Sequence, residues 1–432
     1  MNEPRVAFHT LGCKVNQYDT AGVAETFRRA GYRVVPFRDE AEVYVINTCA
    51  VTAGGEKSSR QAIRQASRRN QAAVIAVVGC YVQRDPAGVR EIPGVRVLGG
   101  TAGKTELMEL VRRALAGADR VERILALPEE FEEPGVPSRV GDRGLGRVRA
   151  VLKVQEGCDE SCAYCIIPAT RGRGRSRSPA AALAEAKALA GSGVRELVVA
   201  GVHLGSFPGL GGLLTELQWV EGIARIRLSS LEPFGIDAVL EAQASLAKVC
   251  PHLHLPLQSG SSRVLARMRR PYTAEEYAAT VARARKLIPG LAVTTDCLVG
   301  FPGESESDFQ ATRRLVEDLK MTRLHVFSFS ARPGTSAATL PDRVPPAMVE
   351  ERRRELEETG RRLARAFAAG HIGREVSVLV EEQRDGWWRG KTGDYLTLRF
   401  AGPPGEDLTN RLVRVLVTGE DKGRLVPDAP LG

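Results

Sequence analysis

The sequence predicts an α/β protein in three parts: a doubly wound parallel sheet, a central partial (βα)6 barrel and a small carboxyl-terminal β-barrel. Short β-branched segments alternate with amphipathic ones over residues 1–118, and the same alternation occupies residues 147–369. Strand and glycine-turn patterning over residues 370–432 is typical of a small closed sheet. Acidic residues, prolines and glycines mark residues 119–146 as a linker. Because a chain of 432 residues is too long to fold around one hydrophobic core, two or three domains are expected.

Composition narrows the function classes. No apolar segment approaches the roughly 20 residues that a membrane helix needs, and no signal-peptide pattern follows Met1. We therefore expect a cytoplasmic protein with no membrane partner. The net charge of +9 favours a polyanionic partner such as nucleic acid. Genome base composition is an alternative explanation for part of the arginine excess, because 51 of the 61 basic residues are Arg.

The first part is predicted to contain five strands and three helices. The strands are expected at Arg5–His9, Arg33–Phe37, Val43–Asn47, Ala73–Val78 and Val95–Leu98, and the helices at Gln17–Ala30, Glu56–Arg69 and Gly103–Ala116.

Three cysteines, Cys13, Cys49 and Cys80, each lie one to four residues beyond one of these strands. Parallel strands end at one edge of a sheet, where open α/β folds place their ligands. We therefore expect the three thiols to share one site, although they are 36 and 31 residues apart in sequence. Three thiolates leave one iron of a four-iron cluster free for another ligand. The alternative interpretation is three unrelated core thiols.

The second part is predicted to contain six strands, followed by a long charged helix at Ala347–Ala369. The strands are expected at Val148–Val154, Glu196–Ala200, Arg225–Ser229, His252–Leu255, Leu291–Leu298 and Arg323–Phe327.

A second set of three cysteines, Cys158, Cys162 and Cys165, forms a C-x3-C-x2-C loop after the first barrel strand. That position is the catalytic mouth of such a barrel. A structural zinc site is the alternative, but it needs four ligands and no nearby His supplies the fourth.

This loop resembles the signature of the radical S-adenosylmethionine enzymes. The resemblance implies a 4Fe-4S cluster on the three thiolates and Tyr164 stacked on the adenine of S-adenosylmethionine. Residues 299–304 resemble the family's Gly-Phe-Pro-Gly-Glu element, and residues 228–233 resemble an element beside the methionine moiety. The further cofactor-binding residues implied are Ser229, Glu232, Gly300 and Gly303. The sequence departs from the family at residues 201–205, where Gly-Val-His-Leu-Gly replaces the Gly-Gly-Glu amine-binding motif.

The segments around the first cysteine set, residues 10–19, 47–52 and 78–81, resemble the amino-terminal domain of the methylthiotransferases. The resemblance covers essentially the whole chain in the right order. It implies an auxiliary 4Fe-4S cluster on Cys13, Cys49 and Cys80, a terminal RNA-binding barrel of the TRAM type, and tRNA as partner. It also implies a reducing electron-donor protein and two cofactor molecules, one donating a methyl group to sulfur and one cleaved to abstract hydrogen from adenine C2.

Two strings, residues 11–17 and 201–205, are most similar to the branch that modifies N6-threonylcarbamoyladenosine beside the tRNA anticodon. The alternatives are the branch acting on isopentenyladenosine and the branch acting on a ribosomal-protein aspartate. A non-catalytic iron–sulfur RNA-binding redox sensor is the alternative outside the enzyme class.

Two further groups are predicted to bind substrate. Arg171, Arg173, Arg175 and Arg177 alternate with Gly and Ser, so in an extended segment all four guanidinium groups face one side, toward phosphate or a cofactor carboxylate. A solvated surface strand is the alternative. In the terminal barrel, Trp387 and Arg389 are predicted to contact exposed bases, with one of the pair Trp387 and Trp388 in the core.

The remaining two cysteines, Cys250 and Cys297, are expected to pack as small apolar residues. His203, His252 and His254 lie near predicted strand ends and are interpreted as structural.

Overall fold

The amino-terminal part is a doubly wound sheet, as the sequence predicts. A computed structural model of the chain describes residues 3–132, 148–403 and 405–427. The strands are β1 (Arg5–Thr10), β2 (Arg33–Val35), β3 (Val43–Thr48), β4 (Val74–Gly79), β5 (Val95–Gly99) and β6 (Val121–Arg123). The helices are α1 (Lys14–Arg29), α2 (Ala53–Arg69), α3 (Cys80–Arg84), α4 (Pro86–Arg90) and α5 (Leu107–Leu115). All strands are parallel in the order β2-β1-β3-β4-β5-β6, with α1 and α5 on one face and α2 to α4 on the other.

The sheet continues into the stretch interpreted as a linker. Strand β6 pairs with β5, so the sheet extends to Arg123. Residues 133–147, which contain most of the expected linker, lie outside the described residues. The boundaries of the linker therefore stay a prediction.

The central part is an open arc of six parallel strands with helices outside it, which confirms the predicted partial barrel. Its strands are β7 (Ala150–Lys153), β10 (Glu196–Ala200), β11 (Arg225–Leu228), β12 (His252–His254), β13 (Ala292–Val299) and β14 (Arg323–Ser328), and a separate ribbon is formed by β8 (Gln155–Glu156) and β9 (Arg175–Ser176). Its helices are α6 (Ile167–Arg171), α7 (Pro179–Gly191), α8 (Leu210–Gln218), α9 (Asp237–Ser245), α10 (Ser262–Arg267), α11 (Ala274–Leu287), α12 (Glu306–Asp318) and α13 (Pro346–Ala369). An isolated bridge between Ser230 and His254 joins the two three-stranded halves.

The terminal part is a small closed barrel, also as predicted. Its strands are β15 (Glu375–Arg384), β16 (Trp387–Thr392), β17 (Thr397–Phe400), β18 (Leu412–Asp421) and β19 (Arg424–Pro427), in the order β15-β16-β17-β19-β18. The sequence pattern predicts three of these strands, at Val376–Val380, Tyr395–Phe400 and Leu412–Val417, but neither β16 nor β19. Strand β16 lacks apolar alternation because Arg389, Gly390 and Lys391 follow its tryptophans.

The terminal barrel closes the amino-terminal end of the central strands. Arg225, the first residue of β11, donates to the Lys391 carbonyl over 2.9 Å, and Arg227 donates to the carbonyls of Thr392 and Gly393 over 3.0 and 2.8 Å. The carboxyl ends of the same strands, where the cysteine loops lie, face the opposite way. Among the described residues, no helix has both the length and the apolar character needed to cross a membrane.

Candidate active site

The loop that carries Cys158, Cys162 and Cys165 is held by backbone contacts on both sides. The amide of Cys158 donates to the Gly172 carbonyl over 3.1 Å, and the amide of Ala163 donates to the Met268 carbonyl over 2.9 Å. The conformation requires Gly157, since its φ is +70° and a Cβ there would overlap the carbonyl oxygen of Arg173. All three thiols remain partly exposed at the carboxyl end of β7.

A buried arginine contacts this cysteine loop. Arg270 donates from Nη1 to Sγ of Cys162 over 3.2 Å and from Nε to the hydroxyl of Tyr272 over 3.1 Å. Its Nη2 forms an ion pair with Glu232. Charge-assisted hydrogen bonds of this kind fix direction, so the guanidinium orients both a cluster ligand and the predicted cofactor-binding carboxylate. Arg270 was not among the predicted site residues, although it lies in the string Met268-Arg269-Arg270, which also resembles the methylthiotransferases.

Burial governs the acidity of these thiols. It raises the pKa of Cys158 to about 11, and burial together with the neighbouring thiols raises the pKa of Cys165 to about 12. Burial also raises the pKa of Cys162, against the opposing effect of the Arg270 charge. Such thiols become thiolates when a metal binds to sulfur and displaces the protons into solvent.

The structure brings Cys13, Cys49 and Cys80 together at one edge of the sheet, as the spacing predicts. Cys13 directly precedes α1, Cys49 follows β3 and Cys80 is the first residue of α3. Burial, and then the charges of Cys80 and Cys13, raise the pKa of Cys49 to about 11. Exposure is graded across the site: Cys13 is exposed, Cys49 is half-buried and Cys80 is buried.

A single segment joins the two cysteine sets. Helix α6 ends at Arg171, whose guanidinium donates to Oδ1 of Asn16, three residues after Cys13, over 2.5 Å. The carbonyl of the next residue, Gly172, accepts the Cys158 amide. Two adjacent residues, Arg171 and Gly172, therefore contact the two sites. Both sites lie where the amino-terminal sheet meets the central barrel.

The donor sets fit iron–sulfur clusters. Each site offers three thiols and, among the described residues, no fourth cysteine. Cys297 is buried in the apolar core as expected, whereas Cys250 is buried beside the charged residues Arg227 and Glu196. Thiolate donors are the usual protein ligands of iron–sulfur clusters, and three of them leave one iron open. Cys158, Cys162 and Cys165 would hold one cluster, and Cys13, Cys49 and Cys80 the other.

The predicted cofactor-binding residues lie around the loop from Cys158 to Cys165. Tyr164 packs against an apolar group that includes Phe301 and Met268. The Ser229 hydroxyl is buried and accepts from the Gly201 amide over 3.4 Å. In the Gly-Phe-Pro-Gly-Glu element, the amide of Gly300 donates to the Glu304 carboxylate over 2.8 Å, and the amide of Gly303 donates to the Asp342 carbonyl over 2.7 Å.

The glutamate of that element is structural. Glu304 is buried and also accepts from Arg352 of α13 over 2.8 Å. Residues 201–205, where the sequence departs from the family, place Nδ1 of His203 3.9 Å from Sγ of Cys158. The His203 amide donates to Oε1 of Gln155 over 2.7 Å.

The expectation that four arginines face one side was wrong. Arg171 ends a helix and is fully buried, bound to Glu156 and Asn16. Arg173 is exposed and pairs with Asp159 over 3.1 Å. The other two are buried as well: Arg175 donates to the carbonyls of Arg171 and Arg173, and Arg177 pairs with Glu185. Only residues 175–176 are extended, so the side-chain alternation of a strand does not apply.

The two tryptophans of the terminal barrel separate as predicted. Trp388 is buried in the barrel core, whereas Trp387 is 44% exposed. Arg399 lies over the Trp387 ring, 5.1 Å from its centroid, and Arg389 pairs with Glu382 on the outer surface. Trp387 and Arg389 thus form a cationic aromatic surface.

A row of polar side chains on the inner face of the barrel, called here the polar ladder, was not predicted from the sequence. It consists of His252, His254, Thr294, Asp296 and His325. Asp296 Oδ1 lies 3.2 Å from His254 Nε2 and 3.1 Å from His325 Nδ1. Burial disfavours the Asp296 charge, but the two imidazoles more than offset it and lower the pKa of Asp296. Thr294 completes the ladder, 2.9 Å from His254 Nδ1 and 3.1 Å from His252 Nε2. The period-two pattern in Ala292–Val299 was a signal that could have revealed it.

Three ligand atoms of this ladder lie within 4.8 Å of one another, from His254, Asp296 and His325. Beyond them the inner face carries Leu298, which is half-buried, and Phe327, which is exposed. The ladder therefore continues into an apolar strip toward the carboxyl ends of the strands.

Comparison with known proteins matches this arrangement. Residues 5–100 match the model of the uncharacterized protein family UPF0004, and residues 152–316 match the radical SAM superfamily. The chain is 39% identical to the threonylcarbamoyladenosine tRNA methylthiotransferase MtaB of Bacillus subtilis, over 95% of this chain and 93% of that protein. This chain belongs to the radical S-adenosylmethionine methylthiotransferase family.

A second member of the family, the protein of the same name from Aquifex aeolicus, is also 39% identical, over 96% of this chain and all of that protein. The fold matches the radical S-adenosylmethionine methyltransferase TsrM from Kitasatospora setae with a TM-score of 0.57 and 18% identity, covering 78% of this chain and 74% of that one. Family membership establishes radical S-adenosylmethionine chemistry with two 4Fe-4S clusters as the chemistry of this chain.

Proposed function

We propose that this protein converts N6-threonylcarbamoyladenosine beside the tRNA anticodon to its 2-methylthio derivative. The observation that carries the proposal is the Arg171–Gly172 connection, which holds two three-thiol sites at one junction. The substrate is taken from the names of relatives that match nearly the whole chain. The proposal includes a cytoplasmic location and a separate protein that donates electrons.

When bound, the two clusters and S-adenosylmethionine would supply the reducing electron, the radical that abstracts hydrogen from an aromatic C–H bond, and the methylthio group that replaces this hydrogen. The protein supplies orientation. Arg270 fixes Cys162 and Glu232 relative to each other, and Tyr164 offers an aromatic face beside the cysteine loop. We propose that Glu232 binds the amine of the methionine moiety.

The inner face of the barrel is proposed to receive the nucleoside. His325 is held through Nδ1 by Asp296, and among the described residues its Nε2 has no partner. That nitrogen is available to a polar group of the base, while Phe327 and Leu298 offer apolar contact beside it. The arrangement combines a few fixed polar groups with an apolar wall, as small-molecule sites commonly do.

The outer surface of the terminal barrel is proposed to bind the RNA around the modified base. Replacing Trp387 by Ala removes one stacking surface and should weaken tRNA binding by about 1–3 kcal/mol, roughly 5- to 100-fold. Trp219, which is 77% exposed at the end of α8, provides the matched control, and Trp219→Ala should leave binding unchanged.

Mass spectrometry of tRNA nucleosides tests the substrate. A strain that lacks the gene should accumulate unmodified N6-threonylcarbamoyladenosine, and the wild-type gene should restore the methylthio form. If the missing product is methylthio-isopentenyladenosine, or a modified ribosomal-protein aspartate, the substrate assignment is wrong. Release of no 5′-deoxyadenosine by the reduced, reconstituted protein would instead favour a non-catalytic sensor.

A further inference from the structure

A network of charged side chains is buried at the junction of the amino-terminal sheet and the central barrel. Asp19 lies 2.5 Å from Lys104 Nζ and 3.0 Å from Lys153 Nζ. Lys153 also pairs with Glu156 over 2.6 Å, and Glu156 pairs with Arg171. Each of these five side chains is no more than 10% exposed.

The charges in this network do not balance. Counted over the described residues, three cations, from Lys104, Lys153 and Arg171, face two carboxylates, from Asp19 and Glu156, which leaves a net charge of +1. An unpaired buried charge is costly unless an opposite charge lies close to it. The network therefore requires an anion that these five side chains do not supply.

Arg171 is the cation of this network that keeps a buried nitrogen without a hydrogen-bond partner among the described residues. Its two terminal nitrogens are bound, Nη1 to Glu156 and Nη2 to Asn16 over 2.5 Å. Its Nε is fully buried and, within the described part of the chain, has no hydrogen-bond partner. Asn16 lies three residues after Cys13, and the charge of the guanidinium also interacts with the thiols of Cys80, Cys13 and Cys49. The excess positive charge thus faces the auxiliary cysteine site.

We propose that Arg171 is the charge partner of the auxiliary iron–sulfur cluster and that the net charge of this buried network sets the reduction potential of that cluster. The inference rests on the proposed function to the extent that a cluster occupies Cys13, Cys49 and Cys80. Arg171 acts here as a positioning residue: its side chain fixes the electrostatics of one site while its neighbour Gly172 holds the backbone of the other.

The sign of the effect follows from electrostatics. A reduced cluster carries one more negative charge than an oxidised one, so a nearby positive charge favours the reduced form and raises the potential. Arg171→Gln brings the network to zero net charge and should lower the potential. Glu156→Gln brings it to +2 and should raise the potential. The double variant returns to +1 and should restore a potential close to that of the parent protein.

The experiment uses the full chain with Cys158, Cys162 and Cys165 replaced by Ala, so that only the auxiliary cluster remains. Each variant is reconstituted anaerobically, its iron is counted, and the midpoint potential is measured by redox titration followed by electron paramagnetic resonance. Arg173→Gln is the matched control, because Arg173 lies two residues away with its side chain 92% exposed. Its potential should equal that of the parent.

Potentials that follow the order of net charge, with recovery in the double variant, support the inference. Equal potentials in all variants overturn it. If Arg171→Gln loses its iron, recovery of iron in the double variant supports the charge balance, whereas loss in both overturns it. A parent protein that binds no second cluster would overturn the proposed function as well, whereas a wrong nucleoside assignment would leave this measurement unaffected.

Discussion

Tyr395 of the terminal barrel stacks on His252 of the central barrel, with ring centroids 4.9 Å apart and ring planes inclined by 29°. Arg227 and Lys391 lie over the same tyrosine ring at 4.7 and 4.5 Å. Tyr395 also has a φ of +74°, a conformation that non-glycine residues adopt at a cost. The contact therefore anchors the terminal barrel at a strained position.

This contact predicts a pH-dependent stability. Burial alone would raise the pKa of Tyr395, but Arg149, Lys14 and Lys391 outweigh it and lower the pKa to about 8. An unfolded tyrosine titrates near pH 10, so between about pH 8 and pH 10 the unfolded state binds more protons and stability rises with pH. The stabilisation is lost as the pH falls through 8.

The variant Tyr395→Phe should lose part of this rise, as measured by urea unfolding at several pH values. It should not lose all of it, because burial also lowers the pKa of Lys391 to about 8, which acts in the same direction. Tyrosinate absorbance supplies a direct check: the variant should lack a group that titrates near pH 8. A parent and a variant with identical titrations would contradict the prediction.

The cysteine loop should not tolerate a side chain at position 157. Gly157→Ala adds a Cβ where the Arg173 carbonyl lies and forces a positive φ on alanine, which costs about 1–3 kcal/mol or more. We expect the hydrogen bond between Cys158 and Gly172 to break. The iron held by Cys158, Cys162 and Cys165 should then be lost, while the iron held by Cys13, Cys49 and Cys80 remains. Iron per chain after anaerobic reconstitution measures this.

Gly191→Ala serves as the control for that substitution. Gly191 ends α7, and an added Cβ would meet nothing within 4 Å. Iron content and melting temperature should match those of the parent. Full iron in Gly157→Ala would show that the loop adapts, against the prediction.

Replacing Arg270 by Lys should slow cofactor cleavage. Lysine lacks the fork that lets Arg270 bind Cys162, Tyr272 and Glu232 together. Loss of one charge-assisted hydrogen bond is worth about 1.5–3 kcal/mol, so 5′-deoxyadenosine should form roughly 10- to 100-fold more slowly. Arg269→Lys, at an exposed neighbour, should cleave at the parent rate. Equal rates for both variants would leave Arg270 without a role in cleavage.

Replacing a single cysteine of either set should remove about half of the iron that the parent protein binds. Cys162→Ala and Cys80→Ala each remove a ligand of one site only, so each should retain about half of the iron of the parent. Cys250→Ala, at a buried thiol that belongs to neither set, should retain all of it. Complete loss in either ligand variant would indicate that the two sites assemble only together.

The sequence predicted which cysteines lie close together because this depends on the order of strands and on the spacing of residues along the chain. The cysteines that follow β1, β3 and β4 were predicted to meet because parallel strands end at one edge, and they do. The closeness of the three cysteines in the loop from Cys158 to Cys165 is likewise a matter of spacing. Trp387 and Trp388 divide between surface and core because neighbours in a strand face opposite sides.

The sequence did not predict ion pairs between residues that are distant along the chain. The burial and pairing of such residues depend on which segments the fold brings together. Arg171 looked like one of four equivalent surface cations, yet it is buried because Glu156 and Asn16 of two different parts meet it there. Asp296 gained its role only when β12 and β14 placed His254 and His325 on either side of it.

By itself the sequence determined the α/β class, the succession of a parallel sheet, a partial barrel and a small closed barrel, and the grouping of six cysteines into two sets of three, since these follow from periodicity and spacing along the chain. Only the tertiary structure decided which cations are buried, how the terminal barrel closes the central one through Tyr395, and that Arg171 and Gly172 join the two sites. The physical reason is that charge pairing and desolvation act through space, between residues whose separation in sequence carries no sign of their contact.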